Sequence, residues 1–189
     1  VEDAAGQPPT IPFWLGEAPA RSDELSAAVS RLRQEIDDAL PALDADTIQH
    51  CITQVRERHA LPGIAAQQLV EYFAAAKAAL GHVPTFDTLV VERFFDEAGG
   101  MQLIIHSPFC ARLNRAFGLS LRKRFCQSFN FELQAAATED AIVLSLGETH
   151  SFALEDVVKY LHSRTVESVL VQAVLDSPLF LPPWPWDPP

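Results

Sequence analysis

The sequence predicts an α+β fold: a curved antiparallel sheet or small β-barrel, crossed by a basic helix and flanked by helical layers. Three observations carry that expectation. Two pairs of short runs suited to strands, Leu89–Asp96 with Met101–His106 and Phe131–Ala137 with Ala141–Leu146, are each joined by a short turn segment. Between the pairs, residues 109–125 repeat apolar side chains at helical spacing. On both sides of this unit lie further helical patterns bounded by caps and breakers.

The elements follow in chain order. Residues 1–10, with Gly6, Pro8 and Pro9, read as a linker, and residues 11–177 as the domain. The domain divides into a strand plus three helices (11–82), a ββαββ core (88–147) and two closing helices (152–177). Ile11–Glu17 reads as a short strand that Pro12 confines to an edge. Alternation sets Phe13 and Trp14 on opposite faces, so Trp14 either plugs the core or offers an outward indole on which a base can stack.

Leu25, Val29, Leu32, Ile36 and Leu40 mark a first helix, with Ser22 as its cap, Asp23 and Glu24 at its positive end, and Pro41 beyond it. Asp46–His59 is a second, with Ile48, Ile52 and Val55 on one side. Ile64–Leu80 is a third, with Leu69, Phe73, Ala76 and Leu80 inward and Gly81 closing it.

In the central unit, Glu97–Gly100 supplies the first tight turn and Thr138–Asp140 the second. Pro108 suits a first helical turn, with Ser107 as its cap. Phe109, Leu113, Phe117, Leu121 and Phe125 then form one stripe facing the core. Arg112, Arg115, Arg122 and Lys123 fall together on another side, while Arg124 projects near the apolar one, either beyond the regular helix or held by an acid such as Glu92 or Glu132. The basic side reads either as a solvated face on an acidic protein or as a rail for phosphates, whose oxygens match the planar arginine fork. Phe152–Leu161 and Val166–Leu175 read as two more helices, the second capped by Thr165. The tail 178–189 places Trp184 and Trp186 among prolines and reads as irregular.

Composition narrows the function classes. The chain has 189 residues, 48 % of them hydrophobic, enough for one domain with its own core. Nothing resembles a secretory leader, and no apolar run is long enough for a membrane span, so no membrane partner and a cytoplasmic location are expected. Cys51, Cys110 and Cys126 are odd in number and widely spaced, which fits reduced thiols. The formal net charge of −11 weighs against an autonomous nucleic-acid binder, although a local basic patch suffices to line part of a channel.

No GxxxxGKS/T phosphate loop and no helicase-type acidic box occur, so no ATP hydrolysis is expected from this chain alone. Neither GxSxG nor HExxH occurs. His106 with Cys110 makes a weak metal pair, and Glu92, Asp96 and Glu97 read as a solvated hairpin tip rather than acid–base machinery. No catalytic residue, metal or cofactor is therefore assigned to the chain.

Five stretches carry a resemblance: IPFWLGEAPARSDELS, ERFFDEAGGMQLIIH, PFCARLNRAFGLSLRKRF, SFNFELQAAATEDAIVLSL and HSFALEDVVKYLHSRTVESVLVQAVLDSPLF. In this order they span nearly the whole chain, which resembles the DEAD/DEAH-helicase-associated domain of large helicase-related (Lhr-type) superfamily 2 DNA helicases. The resemblance implies an accessory domain that follows two motor domains and a winged helix. It implies an ATP-dependent assembly that moves 3′ to 5′ along single-stranded DNA and serves DNA repair. Single-stranded DNA or a DNA/RNA hybrid would be the nucleic-acid partner, and ATP and Mg would belong to the motor domains. The residues it points to are Trp14, Arg112, Arg115, Arg122 and Lys123. In that family the tail is more basic around its tryptophans than WPWDPP is here. The alternative is a structural or protein-interaction module that docks on the helicase motor domains.

Overall fold

The structure, a computed structural model, describes residues 20–97, 99–129, 133–146 and 152–176. The expected linker, the Ile11–Glu17 strand with Trp14, and the tail lie outside the described residues.

Three helices come first: α1 (Asp23–Ala39), α2 (Ala45–Arg58) and α3 (Gly63–Leu80). The Ser22 hydroxyl accepts from Leu25 N at 3.2 Å and caps α1, while the Asp44 carboxylate accepts from Thr47 N at 2.9 Å and caps α2. Gly81 ends α3 at φ +82, the left-handed conformation glycine adopts without steric cost. Ile36, Leu40, Cys51, Val55, Ala66, Val70, Phe73, Ala74 and Val83 form one apolar core among these helices.

Two expected faces are corrected. On α1, Leu25 is 54 % exposed, and Ser26 and Ser30 are buried in its place. These hydroxyls are needed there: Ser26 accepts from Arg21 Nε at 3.0 Å and Ser30 from Phe86 N at 2.8 Å. On α3 Phe73 is buried and Leu69 packs against the core as expected, but the buried positions beside Phe73 are Ala66, Val70 and Ala74, while Ala76 and Leu80 are only half-buried. That helix is apolar around much of its circumference, so periodicity does not fix its inward face.

The second unit holds β1 (Val90–Phe95), β2 (Met101–His106), α4 (Ala111–Phe129), β3 (Gln134–Ala137) and β4 (Ala141–Ser145). The four strands form one antiparallel sheet in the order β1-β2-β4-β3, open rather than closed among the described residues. β2 and β4 pair in the centre, with Leu103 opposite Leu144 and Ile105 opposite Ile142. Both alternate buried and half-buried residues, whereas β1 and β3 are the more exposed edges. Met101, Leu103, Ile105, Ile142 and Leu144 project to the face that packs on Leu121 and Phe125 of α4. Gly118 lets α4 lie close to β4, since a Cβ there would stand 3.0 Å from Ile142 Cγ2.

The start of α4 departs from expectation. Ser107 is buried and does not cap the helix; its hydroxyl donates to Asn114 Oδ1. The chain turns through Pro108–Cys110, with Cys110 at φ +110, before the helix begins at Ala111. The N-terminal donor at Ala111 is satisfied from afar, by the Glu139 carboxylate at 2.9 Å. Arg124 lies within the regular helix and donates to the Thr165 hydroxyl at 3.1 Å; Glu132, one of the acids expected to hold it, lies outside the described residues. The expected core stripe is also shorter: Leu121 and Phe125 are fully buried, Phe117 packs at the rim of the core and Leu113 is 52 % exposed.

After the sheet, residues Leu154–Lys159 form a 3-10 helix in place of the expected longer helix, and α5 spans Val166–Leu175. Thr165 makes no side-chain capping bond; its hydroxyl instead donates to the His162 carbonyl and accepts from Arg124. α5 packs along α4.

A polar clasp joins the two units. Arg21 donates to Asp140 Oδ1 at 3.1 Å, to the Glu139 carbonyl at 3.2 Å and to the Pro108 carbonyl at 3.3 Å. Arg33 reaches the same Asp140 oxygen at 2.9 Å and stacks over Phe73. The Phe86 and Phe109 rings meet beside it at 5.4 Å.

Candidate nucleic-acid interface

The basic side of α4 is set by what its opposite side buries. With Leu121 and Phe125 against the sheet, Arg112, Arg115, Arg122 and Lys123 share a side turned from that core. Arg112 and Arg115 are exposed; Arg122 and Lys123 are half-buried. Arg122 donates its Nε to the Leu133 carbonyl at 3.1 Å, and Lys123 pairs with Asp176 just beyond α5. The four cations therefore differ in burial: Arg112 and Arg115 are exposed near the helix start, and Arg122 and Lys123 are half-buried further along it.

Among the described residues, three concave surfaces that flank this helix stand out. One, about 300 Å³, lies between Arg112 and the start of α1, with Arg21, Asp23 and Glu24 on its wall. A second, about 190 Å³, is walled by Arg122, Lys123, Cys126 and Asp176. The third, about 310 Å³, is an apolar groove between α4 and α5, lined by Phe109, Leu113, Phe117, Leu161, Val166 and Leu170. Phe94 and Phe95, 43 % and 56 % exposed, stand at the end of edge strand β1. In the sequence they are marked only as strand residues, and apolar character by itself carries no sign that they are uncovered.

The arrangement offers anion contacts and apolar surface. His106 Nε2 lies 2.9 Å from Glu92 Oε1, and Cys110 is buried in the turn before α4. Among the described residues no group of three or more His, Cys, Asp or Glu is arranged to hold a metal ion. All three cysteines are free thiols; burial, then nearby Glu35, pushes the Cys51 thiol up, away from reactivity. No helix among the described residues is long and apolar enough to cross a membrane.

Glu139 and Asp140 escaped the sequence reading. Backbone N–H groups of Arg21 and Ala111 hold the Glu139 carboxyl below its usual range, helped by the Arg21 charge. A charged hairpin tip normally faces only water, and the sequence carries no sign that Arg21, some 118 positions away, reaches this one.

Known proteins share this architecture. The chain is 31 % identical over 150 residues to the Lhr helicase/probable uracil glycosylase of Mycolicibacterium smegmatis, covering 79 % of this chain and 9 % of that protein. It is 24 % identical over 180 residues to the Lhr helicase/uracil glycosylase of Escherichia coli, covering 95 % of the chain and 11 % of that protein. The chain thus spans about a tenth of the length of these curated relatives. Among solved structures, it is similar to the Mycobacterium smegmatis helicase Lhr bound to ssDNA and AMP-PNP, at 26 % identity and a TM-score of 0.70, over 92 % of this chain and 21 % of that one. The DEAD/H associated family matches residues 83–183, from the end of the helical layer through the sheet unit and α5, and the chain belongs to that family.

Proposed function

We propose that this chain is the accessory single-strand-binding domain of an Lhr-type ATP-dependent 3′-to-5′ helicase acting in DNA repair in the cytoplasm. The observation that carries this reading is its likeness over 92 % of the chain to an Lhr helicase bound to ssDNA. Arg112, Arg115, Arg122 and Lys123 on one side of α4 supply the phosphate contacts, and Trp14 stacks on a base. The chain contributes no ATPase chemistry: ATP and Mg belong to the motor domains, which with the winged helix are its protein partners. Its nucleic-acid partner is single-stranded DNA or a DNA/RNA hybrid. The acidic total makes binding by the chain alone weak, so the motor domains supply most of the affinity.

A second reading, a module that docks on the motor domains, draws support from the apolar groove between α4 and α5 and from the internal partners of Arg122 and Lys123. Titrating labelled oligothymidylate with the purified chain at low salt separates the two. Binding that weakens log-linearly with salt supports the strand-binding reading; no binding in any salt leaves the docking module. Nucleic-acid-stimulated ATP hydrolysis by the same purified chain would overturn its assignment as non-catalytic.

A further inference from the structure

The cup beside the middle of α4 holds two cations and one acid. Arg122 and Lys123 line it from α4, and Ala173 and Asp176 from α5 and its end. Lys123 Nζ is paired with the Asp176 carboxylate. Arg122 is fixed by its Nε bond to the Leu133 carbonyl, and its two terminal nitrogens have no partner among the described residues. The guanidinium is thus held in place, and among the described residues one edge of its fork has no partner.

The two members of the ion pair are not equivalent. The Lys123 side chain is 25 % exposed, whereas that of Asp176 is 65 % exposed. The fold holds the cation, and the acid reaches it from the solvent side. Asp176 is also the residue that ends α5, where the carbonyl end of the helix dipole disfavours a negative charge. Its N–H donates to carbonyls of the last turn, but its carboxylate, an acceptor only, cannot pair with the carbonyls at that end of the helix. What the carboxylate does is give Lys123 an anionic partner, and ion pairs this exposed are weak.

We propose that Asp176 occupies the seat of a backbone phosphate, and that a single strand binds this cup by displacing the carboxylate from Lys123 while the fork of Arg122 takes the same phosphate. The proposal rests on the strand-binding reading above. Asp176 then sets the threshold for binding: only a strand already held elsewhere competes well for Lys123. The exchange moves no covalent bond; one anion replaces another on the same ammonium.

The test uses the 189-residue chain, labelled oligothymidylate and a salt series. Glu57→Gln is the control, because it removes one exposed carboxylate on α2 and so corrects for the change in total charge. Asp176→Asn should tighten binding at least about threefold beyond that control, with the log–log salt slope close to wild type because the Lys123–phosphate contact forms in both, whereas Lys123→Gln should lower that slope by roughly 0.7, one single-strand phosphate contact. Asp176→Ser must behave like Asp176→Asn. In a Lys123→Gln background the gain from Asp176→Asn should shrink to that of Glu57→Gln. The proposal is overturned if Asp176→Asn does no more than Glu57→Gln, or if its gain persists without Lys123. Those results leave the strand-binding reading standing. Absence of binding by every variant at low salt removes that reading and the proposal with it.

Discussion

The two apolar cores are built differently and are exposed to different hazards. The core of α1–α3 is helix on helix, shut by local devices: the Ser22 and Asp44 caps, Gly81, and a Lys77–Asp37 pair that ties α3 to α1 at 2.8 Å. The core under α4 is helix on sheet, and the groups that complete it come from far along the chain: Glu139 caps α4, and Arg21 and Arg33 converge on Asp140. The sheet unit receives two ion-pair partners, Arg21 and Arg33, from the helical layer and its entry. It is also the unit that carries the basic helix, so integrity of the clasp and integrity of the candidate interface are linked.

The largest expected effects separate the cores. Phe125 is fully buried between the sheet and the 3-10 helix, and Phe125→Ala should cost about 3–5 kcal/mol. Ile36, equally buried in the helical core, should cost about 2–5 kcal/mol as Ile36→Ala. Native-state hydrogen exchange on the two variants is the informative readout. Phe125→Ala should speed exchange in the strands and α4 more than in α2 and α3, and Ile36→Ala the reverse. Equal acceleration everywhere would mean that the clasp makes one cooperative unit.

The clasp comes next. Asp140→Ala leaves Arg21 and Arg33, each 13 % exposed, without their shared carboxylate, and should cost roughly 1–2 kcal/mol in denaturant unfolding. Asp140 is itself 42 % exposed, which keeps the value below that of a fully buried pair. A cost no greater than that of a remote surface acid would show that the two units pack without the clasp.

Glu139 adds a smaller, pH-dependent effect. Its folded carboxyl is depressed below the ordinary glutamate range by the N–H groups of Arg21 and Ala111. The stabilisation is therefore complete above the unfolded value, about 4.3, and is lost as pH falls through the lower folded value. Wild type should lose more stability than Glu139→Gln as pH drops through that window, and parallel pH curves would remove the capping role.

Effects on folding should be least along the basic side of α4. Arg112→Ala should change stability by no more than about 0.5 kcal/mol. Arg122→Ala should cost about 1 kcal/mol, because its Nε bond to the Leu133 carbonyl goes with it. Each should lower the single-strand salt slope by roughly 0.7 if it holds a phosphate.

The same contrast explains what the sequence made legible. β2 and β4 alternate strictly, and Met101–His106 is found where the run of apolar and β-branched residues puts it. Ser22 and Gly81 act as their types predict, because caps are local chemistry. Ser107 fails as a cap since the Pro108–Cys110 turn intervenes, and nothing local announces that Glu139 will replace it. Leu25 and Leu113 fit helical stripes but face outward, because the hidden sides at those points are polar or shared with a groove. For the candidate interface, periodicity placed the four cations on one side of α4 but could not reveal that Asp176 sits on Lys123. That pair spans 53 positions and two elements, beyond the reach of any local pattern.

In the proposed function, the sheet unit meets a single strand through the basic side of α4. The most direct measurement is a titration of the isotopically labelled chain with oligothymidylate at low salt, read residue by residue from amide and arginine side-chain resonances. Shifts should concentrate at Arg112, Arg115, Arg122, Lys123 and the end of α5, fading as salt rises, with α2 and α3 unmoved. Shifts confined to α2 and α3, or shifts on α4 that do not respond to salt, would contradict it.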